Sequence, residues 1–172
     1  MLLVYSTIWT ALLFYTIAVA WLAFEPRPSS WPRNFWTVGC VLFVIHVVSV
    51  FAFIHNWSHD HAMAHTRSET MKLTGVDSGS GLYLNYLFAL IWLADTIWWW
   101  IVGKNRYRQR SRLIFGLIHF YFLFMIFNGA FLFVESPRRW LGLLLTAVGF
   151  GSVVRTLLQK SRRDVRSSEP QS

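Results

Sequence analysis

Four of the six histidines in this 172-residue chain fall within eleven positions, in the stretch His55-Asn56-Trp57-Ser58-His59-Asp60-His61-Ala62-Met63-Ala64-His65. Imidazole is the commonest protein ligand for zinc, copper and iron, so this stretch is where metal chemistry is expected. Residues four apart share a helix face, which gives two chelating pairs, His55/His59 and His61/His65. The pairs are offset by six residues, about 600° of helix, so their faces differ by roughly 120°. One straight helix cannot aim all four rings at one ion. The stretch must hold two sites, break near Trp57 to Asp60, or bind through one pair only.

Glu69 continues the second stripe, as His61, His65 and Glu69. Residues eight apart stand about 12 Å apart along a helix, a span that suits two bridged ions better than one. Asp60, Asp77, Asn85 and Glu135 are candidates to complete a coordination shell, and Met63 and Met71 add soft sulfur that would suit copper. The zinc-protease pattern His-Glu-x-x-His is absent. The expectation is a transition-metal site (zinc, copper or iron) with His55, His59, His61, His65 and Glu69 as ligands, in a metal-dependent enzyme or a metal-handling protein. No catalytic residue is assigned and no reaction follows. The competing reading makes the histidines polar interfacial residues that bind nothing.

A second group of polar residues lies inside apolar runs: His46, Asp95 and His119, with Asn85 and Asn128. Ionisable groups within a membrane span are costly and mark function or a satisfied polar contact. At 1.5 Å per residue they fall about 15, 20 and 22 Å from one end of their helices, which predicts convergence. Asp95 could then accept the second N–H of His46 or His119 within a proton path. Alternatively, His46 and His119 could be axial ligands of a b-type haem, although Phe, Trp and Leu crowd both helices. A third reading is a hydrogen-bond network, including Asn85 and Asn128, that fixes helix register.

These residues are carried by a chain that is 55% hydrophobic and 18% aromatic but only 14% charged. Uncharged runs of about 20 residues predict an all-α integral membrane protein of five spans, near 2–24, 35–56, 82–102, 113–134 and 140–158. The start has no positive region ahead of its apolar run, so a retained first helix is expected, although Ala18-Val19-Ala20 resembles a cleavage site. Pro26, Pro28 and Pro32 separate the first two spans. Residues 55–81 form a partly helical, histidine-rich loop with Gly75 as a C-cap. Trp98-Trp99-Trp100 read as interfacial anchors, Gly103 to Arg112 as a short basic turn, and 159–172 as a disordered basic tail. Gly142, Gly149 and Gly151 suit close packing of the fifth helix.

The formal net charge of +8 sits at the ends of the apolar runs, where it sets topology rather than nucleic-acid binding. With five spans, twelve of the sixteen Lys and Arg fall on one side and four on the other. The positive-inside rule then puts the N-terminus outside, the C-terminus in the cytoplasm and the histidine loop on the extracytoplasmic face, at the inner membrane if the cell is bacterial. The expected partner is the lipid bilayer. A non-catalytic small subunit packed beside larger membrane partners is the alternative. Cys40, the single cysteine, permits no internal disulfide.

Overall fold

The computed structural model describes residues 2–25, 29–134 and 137–168, with side chains as far as residue 162. Six helices account for nearly all of them: α1 Leu2–Phe24, α2 Trp31–Phe53, α3 His59–Thr74, α4 Gly81–Arg108, α5 Arg112–Phe127 and α6 Arg138–Ser168. A single π-helical turn, Asn128–Leu132, extends α5. All but α3 belong to segments long and apolar enough to cross a membrane. No strand occurs among the described residues.

The five long helices close into a ring in the order α1, α2, α4, α5, α6 and back to α1, with α3 lying against α4. Lipid is as apolar as leucine, so packing and polar contacts rather than the hydrophobic effect must hold such a ring together. Its centre is filled by rings. Tyr15 of α1, Trp36 of α2, Trp92 of α4 and Phe122 of α5 are fully buried and lie within 5.5–6.1 Å of one another, centroid to centroid. Leu13, Val41, Leu90, Leu117 and Leu144 point outward from their helices, as a lipid-facing surface requires.

Small residues permit the closest approach. A Cβ on Gly142 of α6 would stand 2.0 Å from the Ala130 carbonyl oxygen in the π-helical turn, so backbone meets backbone there. A Cβ on Gly151 would meet nothing within 4 Å.

Several boundaries differ from those expected. Helix α2 begins at Trp31, with Pro32 in its first turn, where a missing N–H costs nothing. It ends at Phe53 rather than Asn56. Helix α4 runs past residue 102 through a break at Gly103 (φ 72°, ψ 169°), so the basic turn is mostly helical and folded back. Helix α6 continues to Ser168, and much of the segment expected as a disordered tail is helical. Arg155 and Gln159 of this helix donate to the Ala23 carbonyl at the end of α1, while Arg108 donates to that of Glu25. Lys160 donates to the carbonyls of Arg108 and Arg110. Cationic and amide donors on the last carbonyls of a helix favour its dipole and fix this extension in place.

Gly142→Val should lower the melting temperature in detergent by the cost of overpacking, about 1–3 kcal/mol. Gly151→Ala should leave it unchanged or raise it. Equal effects at the two positions would contradict the close contact at Ala130.

Candidate functional site: a cavity rimmed by histidines

The histidine stretch straddles a chain reversal. Trp57 N–H reaches back to the Phe51 carbonyl (2.8 Å), a six-residue loop that terminates α2. Asn56 and Trp57 both take left-handed backbone, with φ of 49° and 60°. Asparagine tolerates that region, whereas for tryptophan it is strained. Ser58 then caps α3 by accepting the His61 backbone N–H at 3.1 Å. Gly75, left-handed at φ 74°, ends α3 as its composition predicts.

The break dissolves one predicted pair and builds another group. His55 and His59 no longer share a helix, so the expected i,i+4 chelate does not form. His59 turns toward α4, with Nδ1 3.1 Å from the Tyr86 hydroxyl. His55 folds instead against α3, its ring centroid 5.3 Å from that of His61 and 5.5 Å from that of His65. His55 is buried at 5% exposure, and its Nδ1 has no hydrogen-bond partner. His61 and His65 are exposed. Burial, assisted by the neighbouring His65 and His61, holds His55 below the usual imidazole range and so keeps it neutral, with a lone pair to offer. In their present rotamers no three His, Cys, Asp or Glu side chains among the described residues are arranged to hold a metal ion.

Two of the remaining ligand candidates, Glu69 and Asp77, are engaged in ion pairs. Glu69 accepts from Lys72 (2.6 Å), and that bond holds its carboxyl below the usual range. Asp77 pairs with Arg67 through both carboxylate oxygens. Asp60 lies in the first turn of α3, where the helix dipole favours an anion. Glu135 falls outside the described residues.

Behind the histidines lies a cavity of about 440 Å³, between α1, α2, α4 and the π-helical extension of α5. His46, His55, His65, Asn85 and Tyr86 contribute its polar lining, and Leu12, Phe43, Phe88 and Ile126 are among the apolar residues. Gly129 and Ala130 of the π-helical turn form part of the wall. Such turns insert a residue into a helix and recur at functional sites.

The buried polar residues do not converge as expected. Nδ1 of His46 donates to the Val4 carbonyl at 2.9 Å, near one end of α1. Nδ1 of His119 lies 3.2 Å from the Tyr15 hydroxyl. Val4 and Tyr15 are eleven residues apart, about 16 Å along α1, too far for two ligands of one haem iron. Asp95 touches neither histidine. Arg110, carried back into the bundle by the break at Gly103, stands between Asp95 and His119. Its NH1 donates to Asp95 Oδ1 at 2.6 Å and its NH2 to His119 Nε2 at 3.2 Å. Tyr107 donates to the other oxygen of Asp95 at 2.5 Å and stacks on Trp99 with ring centroids 3.7 Å apart. Arginine only donates, so Nε2 of His119 is an acceptor and Nδ1 carries the proton offered to Tyr15. With both nitrogens used, His119 has no lone pair for a cofactor. Asn128 donates to the Phe124 carbonyl of its own helix.

No family model, curated protein or solved structure matches this chain. The site must therefore be read from its own geometry.

Arg110 and Asp95 are both almost completely buried, with side-chain exposures of 1% and 2%. Removing one partner of such a pair strands a charge and costs about 3–5 kcal/mol, whereas replacing both removes the penalty. Asp95→Leu and Arg110→Leu should each lower the melting temperature sharply, and the double variant should recover much of the loss. Additive losses would refute the pairing.

Proposed function

We propose that this chain is an integral membrane protein that binds one transition-metal ion at its extracytoplasmic face, through His55, His61 and His65. The observation that supports the reading is the approach of the His61 and His65 rings, each to that of His55. Imidazoles on a tetrahedral ion, with bonds of about 2.0–2.1 Å, place their ring centroids roughly 5 Å apart. The distances here are 5.3 and 5.5 Å. Side-chain rotations of His61 and His65, both exposed, would turn their nitrogens inward at little cost. Three protein ligands leave a position open, the arrangement of catalytic rather than structural zinc sites. The ring-filled bundle beneath offers an ion no way through, which favours a metal-dependent enzyme over a conductor of metal.

Stoichiometric zinc, copper or iron should accompany the protein after mild detergent purification. His61→Ala or His65→Ala should each weaken binding by more than about 100-fold, a larger effect than loss of an outer-shell partner would produce. His59→Ala should leave metal content unchanged, because that ring is committed to Tyr86. Histidine ligands bind as neutral imidazoles, so lowering the pH from about 7.5 to about 5 should release the ion. Protein that carries no metal and takes none up on titration would refute the reading.

Orientation rests on the charge bias and can be tested separately. A cysteine at Ser58 should react with an impermeant reagent from outside the cell and one at Ser168 only from the cytoplasm, against a low background because Cys40 is buried. Labelling of both from the same side would refute a five-span topology.

A further inference from the structure

The cavity behind the histidines has chemistry of its own. Its lining contains no Asp, Glu, Lys or Arg. A charged head group would therefore enter without a counter-ion, at high cost in a low-dielectric setting. The polar atoms it does present are unusually specific. His46 donates from Nδ1 to the Val4 carbonyl, which leaves Nε2 as the acceptor of the neutral ring. His55 is nine-tenths buried and its Nδ1 has no partner, although a buried polar atom without one is costly. The apolar lining lies between α1, α2, α4 and α5, within the part of the bundle long enough to span a membrane.

We propose that this cavity binds an uncharged long-chain alcohol drawn from the bilayer, its hydroxyl hydrogen-bonded to the free Nε2 of His46 and its chain against Leu12, Phe43, Phe88 and Ile126. A hydroxyl both donates and accepts, so it can satisfy the lone pair of His46 Nε2, which a carbonyl or ether cannot. At roughly 30 Å³ per water-sized group, about 440 Å³ holds on the order of 15 non-hydrogen atoms, the size of tetradecanol. The volume also lies within the usual range for small-ligand sites, about 300–1,000 Å³. This inference goes beyond the metal site. It requires the cavity and not an ion, and an empty histidine cluster would leave it intact.

The test uses the full chain in phospholipid nanodiscs and a tetradecanol probe carrying a photoreactive diazirine in its chain. Saturable labelling should map to α2, α4 and the α5 extension. Unlabelled tetradecanol should displace it, while tetradecanoic acid and tetradecyl methyl ether should compete poorly. Gly129 belongs to the cavity wall and a Cβ there meets nothing within 4 Å, so Gly129→Leu adds bulk at that wall without a clash. Val47→Phe narrows it from α2. Either variant that keeps its melting temperature should lose the saturable label, and His61→Ala, which removes the ion, should keep it. Label that does not saturate, that the acid or the ether displaces as well as the alcohol does, or that persists in both filled variants would overturn the proposal. So would label lost with His61→Ala, since it would then report the ion site.

Discussion

An arginine and an aspartate meet at 2.6 Å in the interior of an apolar helical bundle, and both are shielded from solvent. Neither could be there alone. Because the surroundings reward no particular alignment of one apolar helix against the next, the pair supplies the alignment: Asp95 fixes α4, and Arg110 fixes the segment that returns beneath it. A second nitrogen of Arg110, Nη2, reaches His119 on α5, which in turn reaches Tyr15 on α1. One guanidinium thereby relates three of the five ring helices. Its face also lies over Tyr107, 4.1 Å from the centroid, where a desolvated cation–aromatic contact is at its strongest.

The two ends of the bundle are built differently. At the end of Arg110 the demands of the buried charges and the helix carbonyls are met within the chain: carboxylate by arginine and tyrosine, helix carbonyls by Arg108, Arg155 and Lys160, although Arg110 Nε and Trp99 Nε1 have no hydrogen-bond partner among the described residues. At the histidine end the demands are left open. His55 has a bare nitrogen in a buried setting, the Asn56–Trp57 backbone is strained, and the wall of α5 loosens into a π-helical turn. Strain and unsatisfied groups are retained where surrounding structure holds them, and they concentrate at working sites.

The five apolar runs were legible because length and uncharged composition suffice to mark a helix able to span a membrane. The π-helical turn was not: it lies where Gly142 approaches Ala130, a tertiary contact with no local signature. The histidine cluster was half legible. The sequence spacing put His61 and His65 on one helix face and offered a break as one of three alternatives, but the partner delivered by that break depends on two left-handed residues that propensity does not foresee. His59 looked equivalent to His55 and is turned away. Arg110 was the plainest omission. Counted among the charges of a basic turn, it gave no sign of burial, although Gly103 upstream and an unpaired Asp95 in the neighbouring span together posed the question of what returns to meet that carboxylate.

The fold-back at Gly103 has one more consequence. By returning Tyr107 and Arg110 into the bundle, it plugs the end opposite the histidines, above which Tyr15, Trp36, Trp92 and Phe122 already fill the bore. The chamber lined by His46 and His55 is thus a blind alley. Between it and the far end of the bundle stand the packed rings and the buried pair of Asp95 and Arg110.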